Sequence, residues 1–277
     1  MPPSVRRKAE LVRAYYRDFD EWGRLVRDPY RQLEFETTFC FLKKYLPPSG
    51  RVLDAGGGPG RYTIELARKG YDVSLLDFTP EHLDQARRHI LRAGVARRVR
   101  QIVQGSIVDL SEFETESFDG VLCLGGALNH VLSARNRETS IRELARVARR
   151  GAPLFVSVIG RFSPLVDGLV RHPEGLRTDA QHHRRIIRTG DYDGQRGFAP
   201  CHFILSDELK AAIQREHLHV LEAAGLEGLA SNHSREINRL ARTDPKAWAN
   251  WKRLHFQTCT HPAVVATSEH FLVVARK

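Results

Sequence analysis

From Arg51 onward, short apolar runs alternate with segments of helical spacing, and this alternation leaves few folds open. "RVLDAG", "YDVSLLDF", "RVRQIVQGS", "FDGVLCLGG" and "GAPLFVSVIG" read as five strands. Between them, "RYTIELARKG" sets Ile64, Leu66 and Ala67 on or near one face and stops at Gly70. "TPEHLDQARRHILRAG" opens with Thr79 as an N-cap and Pro80 at the first helical position, and Gly94 ends it. "SARNRETSIRELARVARR" supplies the helix between the fourth and fifth strands. Strand and helix in regular turn require crossover connections, hence a parallel sheet with helices on both faces: a doubly wound α/β fold. The 277 residues suffice for one such domain with additions.

Several classes are excluded or disfavoured. No apolar run approaches the roughly 20 residues of a membrane helix. The N-terminal "MPPSVRRKAELVRAYYRDFDEWGRL" has basic residues but no apolar h-region, so it does not read as a secretion signal. Cys40, Cys123, Cys201 and Cys259 are widely spaced and form no C-x-x-C pair. A disulfide framework or zinc site is therefore not expected, and a reducing cytoplasm is. The net charge of +10 is consistent with anionic partners or with solubility alone. Its densest block, "RRHILRAGVARRVR" (87–100), holds six arginines and no acid, with no interleaved aromatics for stacking bases. A helix whose cations lie at the negative end of its dipole accounts for it.

The turn after the first strand is "LDAGGGPG". A parallel strand that ends in glycines and feeds a helix exposes backbone N–H groups to a ligand that can approach closely. Asp77, at the tip of the neighbouring strand, is placed to accept hydrogen bonds from ribose hydroxyls. The dinucleotide fingerprint G-x-G-x-x-G fails, because its third glycine would fall on Arg61. What stands instead is Asp54, Gly56, Gly58 and Gly60 in alternation. An acid just before the loop suits a ligand with an ammonium group and would repel a pyrophosphate.

At these residues the chain resembles the class I S-adenosylmethionine-dependent methyltransferases, over roughly residues 50–160 and again in the closing "HFLVVARK". The resemblance implies a Rossmann-like, mostly parallel seven-stranded sheet with an antiparallel last strand. It implies S-adenosylmethionine as cofactor, with Asp54 facing the methionine amine and Gly56, Gly58 and Gly60 beneath the cofactor. Asp77 would hold the ribose and Phe78 would lie against the adenine. Ser106 and Ile107 of "QGSIVDL" would flank the adenine ring; the family often has Asp where Ser106 stands. Leu124 of "FDGVLCLGGALNHV" would lie near the methionine end.

The acceptor side is less marked. The fourth strand ends without the N/D-P-P-Y/F/W of amino-methylating enzymes, and no Asp/Asn cluster suggests a magnesium site. Pro200-Cys201 lies after the fifth strand, out of context for a catalytic Pro-Cys. His130, just after the fourth strand, is the candidate general base, with an orienting or packing role as the alternative. The adjacent His182 and His183 point two ways and make a poor metal pair, so no metal is expected.

Residues 1–48 read as two helical stretches broken near Asp28-Pro29 and are expected to form a lid over the methyltransferase domain, residues 49–277. Tyr16 is either a lid residue or part of a buried stripe with Tyr15, Phe19 and Trp22; Arg31 is the expected partner of the cofactor carboxylate. An insertion after the fifth strand, 161–206, is expected to form a hairpin from "RIIRT" and "CHFIL". From it Arg185, Tyr192, His202 and Phe203 are expected to touch the acceptor. Trp248 and Trp251, at i and i+3, read as packing anchors.

The resulting expectation is methyl transfer to O, N or S of a small-molecule acceptor by direct displacement. An RNA methyltransferase is the second reading, supported by charge alone, and a cofactor-binding protein without transferase activity is the third. The number of subunits stays open.

Overall fold

The computed structural model describes residues 3–195 and 197–277. Helices α1 (Pro3–Asp18), α2 (Glu21–Arg24) and α3 (Pro29–Tyr45) precede β1 (Arg51–Ala55). Then α4 (Arg61–Arg68), β2 (Asp72–Asp77), α5 (Pro80–Arg92), β3 (Val99–Gln104), β4 (Gly120–Cys123), α6 (Ala134–Val147) and β5 (Pro153–Ile159) follow. After β5 come α7 (Ser163–Arg171), α8 (Pro173–Thr178), α9 (Ala180–Thr189) and a short hairpin, β6 (Asp191–Tyr192) with β7 (Cys201–His202). Next are α10 (Ser206–Arg215), β8 (His219–Gly225), α11 (Ser234–Thr243), α12 (Pro245–Thr258), α13 (Pro262–Thr267) and β9 (His270–Arg276).

The seven-stranded sheet has the order β3-β2-β1-β4-β5-β9-β8. β1 to β5 pair in parallel, and β9 runs antiparallel to both β5 and β8. Alternating residues serve opposite faces. Leu53, Ala55, Val121, Cys123 and Val156 pack with Ile141, Leu144, Leu209 and Ile213 of α6 and α10. Val52, Val73, Leu122 and Phe155 pack with Phe41, Leu42, Tyr62 and Leu66 of α3 and α4. Burial on both faces is why these strands read as near-continuous apolar runs. The strand order reverses between β1 and β4, so their outgoing loops diverge and leave a crevice at the carboxyl edge of the sheet.

Two local readings are corrected. "RIIRT" ends helix α9 instead of forming a hairpin arm, because Asp179 caps the helix through the His182 N–H and Gly190, at φ +79°, ends it. The hairpin that remains is two residues deep. The N-terminal region is broken twice, at Phe19–Asp20 as well as at Asp28-Pro29. α10 opens at Ser206, and Glu208 reaches back to accept from the Leu205 N–H.

α3 lies in the body of the protein, bringing Tyr30, Leu33, Phe41 and Leu42 into its interior. Trp248 and Trp251 pack against Tyr30, Leu33 and Ile237. Beneath α3 runs a buried ionic network. Arg24 donates to Glu34 at 2.6 and 3.1 Å and to Glu21 at 2.8 Å. His270 Nδ1 lies 2.7 Å from Glu227 and 3.9 Å from Glu34. The Tyr30 hydroxyl donates to Glu269 and accepts from the Asn232 N–H. Burial alone would raise Glu34 and lower His270. Arg24 and His270 nevertheless hold Glu34 below the usual carboxylate range, and the carboxylates raise His270 to about 9.

Candidate functional site

Loops leaving β1, β2, β3 and β4 surround a cavity of about 400 Å³ at the crevice, and α1 and α2 cover it. The loop after β1 has Gly56 at φ +81°, and a Cβ there would meet the Ala127 Cβ at 2.6 Å. Only glycine lets this loop take the left-handed turn while lying against the segment after β4. The loop is tied to the next strand: the Gly56 and Gly57 N–H groups donate to the Leu76 carbonyl at 2.7 and 3.2 Å.

Asp77 is the other tie. Its Oδ2 accepts from the Gly58 N–H and its Oδ1 from the Thr79 N–H, each at 2.8 Å. It thus braces the glycine loop and the start of α5 at once. Asp54 sits fully buried under the loop, its Oδ2 accepting from the Thr63 N–H at 3.1 Å and the Thr63 hydroxyl at 2.7 Å. Its Oδ1 is buried with no hydrogen-bond partner among the described residues. Burial, opposed by the two bonds from Thr63, raises Asp54 to about 6. A cavity-lining carboxylate with an unmet lone pair matches a cationic ligand group.

Gly56, Gly58, Phe78, Ser106, Ile107 and Leu124 all line this cavity with Asp54 and Asp77. Gly60 does not. A Cβ there would face Ala86 at 3.4 Å, so Gly60 serves the packing of α4 against α5. Arg31 does not line it either; it pairs with Glu269 at 3.4 Å. Arg24 faces the cavity instead, near Gly125, and sequence reasoning passed over it. The two arginines are seven residues apart on either side of a helix break, and no spacing rule distinguishes them.

At the lid end, Tyr16 and His130 meet. The His130 Nδ1 lies 3.0 Å from the Pro200 carbonyl, which can only accept, so Nδ1 carries the proton. Nε2 is then the acceptor, and the Tyr16 hydroxyl donates to it at 2.8 Å. Burial pushes His130 down to about 4, which keeps the ring neutral. His82 was also passed over: it lines the cavity, its Nε2 donates to the Tyr16 carbonyl at 3.0 Å, and its Nδ1 lies 3.8 Å from Asp77.

Arg185, Tyr192, His202 and Phe203 do not line this cavity. Arg185 pairs with Asp193, and His202 bonds to Asp191 at 2.7 Å. Tyr192 and Phe203 are buried with Ile159, Ile186 and Cys201 in the small core that holds the insertion down. The insertion approaches the site through Pro200 and Phe198, whose ring lies 5.7 Å from His130 and 5.3 Å from Tyr15. Aromatic residues six or so positions apart in a turn-rich segment gave no signal for which would face inward.

A family model described as "Methyltransferase domain" matches residues 52–151. The chain is 40% identical over 114 residues, 41% of its length and 45% of the relative's, to the ubiquinone biosynthesis O-methyltransferase of Hahella chejuensis. It is 31% identical over 160 residues, 56% of its length and 54% of the relative's, to the glycine/sarcosine N-methyltransferase of Parasynechococcus marenigrum. It therefore spans about half the length of the curated relatives it matches. Among solved structures, the PH0226 protein of Pyrococcus horikoshii superposes with a TM-score of 0.61 at 17% identity, over 95% of this chain and 98% of that one. The fold, the glycine loop with its flanking acids and the family-model match agree: the chain carries a methyltransferase domain of the class I kind, which takes S-adenosylmethionine as cofactor.

Proposed function

We propose that this chain transfers a methyl group to O, N or S of a small-molecule acceptor enclosed beneath α1. The observation that carries the reading is the buried, half-satisfied carboxylate of Asp54 under a glycine loop that Asp77 braces. Enclosure by Val12 and Tyr16 of α1 supports a compact acceptor.

When bound, the cofactor supplies an electrophilic methyl group on its sulfonium sulfur. The free Asp54 oxygen would take the methionine ammonium, and Arg24 the carboxylate. Asp77 would accept from the ribose through lone pairs left over from its two backbone bonds, and Phe78, Ser106 and Ile107 would hold the adenine. Tyr16 and His130 close the other end and exclude water from the acceptor. With Nε2 occupied by Tyr16 and basicity suppressed by burial, His130 orients the lid hydroxyl in this reading; it takes no proton from the acceptor.

Calorimetric titration with S-adenosylmethionine, followed by a panel of small phenols, amines and thiols monitored for S-adenosylhomocysteine, tests the function. Cofactor binding with no turnover on any acceptor would leave a binding protein without transferase activity. No cofactor binding would remove the proposal.

Two further results are expected. If Asp54 must be ionised to hold an ammonium, it gives up its proton on binding below pH 6. Affinity is then flat above pH 6 and falls about tenfold per pH unit below it. Asp54→Asn should flatten this profile; an unchanged slope would place the titrating group elsewhere.

For His130, replacement by Gln separates base from orienting group. A base contributes about 10²–10⁴ to kcat together with a pH-dependent limb. The orienting role gives instead roughly a tenfold loss concentrated in KM, matched by Tyr16→Phe. A loss in kcat of the larger size would restore the catalytic assignment.

A further inference from the structure

We propose that the protein has a second ligand site, for a phosphate-bearing small molecule, in a cavity of about 270 Å³ between α6, the end of α9 and α10. Arg137, Arg161, Arg188, Arg215 and His202 line it, with Glu138 and Glu208 as its two carboxylates.

The charges do not balance. Arg161 is buried and takes Glu208 at 2.6 Å, while its Nε donates to the Phe203 carbonyl at 3.2 Å. Arg215 faces Glu138 at 3.7 Å. Those pairs use both acids. Arg137 donates its Nη1 to two neutral acceptors, the carbonyls of Val131 and Leu132, at 3.0 and 2.9 Å. Neither Arg137 nor Arg188 has an ion-pair partner among the described residues. Two guanidinium groups without an ion-pair partner thus line one cavity, with Asp191, bonded to His202, as one further carboxylate beside them. Burial and the neighbouring Arg161 hold Arg137 below its ordinary range, against the pull of Asp191 and Glu208. His202 is lowered too, by burial and then by Arg137, despite its bond to Asp191.

Arg137 is half-buried beside the buried Arg161, where a cation costs energy unless an anion completes it, and the exposed Arg188 adds its charge at the rim. The planar guanidinium fork matches phosphate oxygens, and a phosphate monoester carries about two negative charges near neutrality. Two unpaired cations and a dianion are a charge match that a single carboxylate would only half meet. The site is distinct from the central cavity, although the Val131 and Leu132 backbone that Arg137 grips separates the two.

The test is calorimetric titration of the full chain with inorganic phosphate and with glycerol 3-phosphate, against sodium chloride at equal ionic strength. Arg188→Ala and Arg137→Gln serve as variants; Arg188 is exposed, so its removal leaves the fold intact. Saturable phosphate binding is expected, weakened at least tenfold in each variant. Tighter binding of the ester assigns an organic phosphate as the ligand; equal or weaker binding assigns the free ion. Phosphate no better than chloride, or both variants binding as the wild type does, would overturn the proposal. Because the variants lie outside the central cavity, failure here leaves the methyltransferase reading intact, and loss of cofactor binding would not touch this one.

Discussion

Asp77→Ala is expected to weaken S-adenosylmethionine binding by about 100-fold or more in calorimetric titration. Hydrogen bonds to an ionised group contribute about 1.5–3 kcal/mol each, and about 2.7 kcal/mol corresponds to 100-fold. The loss has two sources. Any ribose contact goes, and the Gly58 and Thr79 N–H groups lose their shared acceptor at 2.8 Å. Asp77→Asn is not a mild substitution for the same reason. An amide offers one accepting oxygen and sets its NH₂ against one of two backbone donors, so a loss of at least tenfold is expected. Thermal unfolding of both variants, run in parallel, separates the effects. A lowered melting temperature with unchanged affinity would make Asp77 a loop brace only and would move the cofactor elsewhere.

Arg24→Met is expected to cost about 3–5 kcal/mol of stability, the usual penalty for leaving one member of a buried ion pair uncompensated. Glu34 is fully enclosed, and its bonds to Arg24 at 2.6 and 3.1 Å, helped by His270 at 3.9 Å, keep it ionised there. At about 2–4 °C per kcal/mol for a chain of this size, the melting temperature should fall by roughly 6–20 °C. Restoring a neutral core with Arg24→Met and Glu34→Gln together should recover much of it, because the stranded charge disappears. Equal melting temperatures for wild type and Arg24→Met would show that His270 alone suffices for Glu34.

The same network sets a pH signature. His270 has its folded pKa raised from 6.5 to about 9, so its stabilising contribution is complete below pH 6.5 and disappears as pH rises through 9. Melting temperature should therefore drop between pH 6.5 and 9, and His270→Gln should remove that drop.

The alternation of strands and helices and the glycine turn flanked by Asp54 and Asp77 were legible from residue order; that Asp77 braces the loop was not. The legible features depend on contacts within a strand, a turn or one crossover unit. Apolar period fixes an element's type, and a glycine at positive φ fixes a turn whatever surrounds it. Of the ten residues named for the cofactor, eight, Asp54, Gly56, Gly58, Asp77, Phe78, Ser106, Ile107 and Leu124, line the central cavity, and of the six named for the acceptor side only Tyr16 and His130 do. The two cofactor residues that do not are Gly60, which faces Ala86 of α5, and Arg31, which pairs with Glu269.

What the order of residues left undetermined was long-range. Whether Arg24 or Arg31 reaches the cavity depends on how α2 and α3 sit against β9, some 240 residues further along the chain. Phe198 and Pro200, instead of Tyr192 and Phe203, face the site because the insertion folds over its own small core first. The acidity of Asp54, the neutrality of His130 and the surplus of cations beside α10 arise from burial and from neighbours distant in sequence. Sequence alone determined the alternation of strands and helices and the glycine turn after the first strand, since local sterics and periodicity suffice for these. Only the tertiary structure decided which charges are buried, paired or left wanting a partner, because desolvation and Coulomb energy depend on packing in three dimensions.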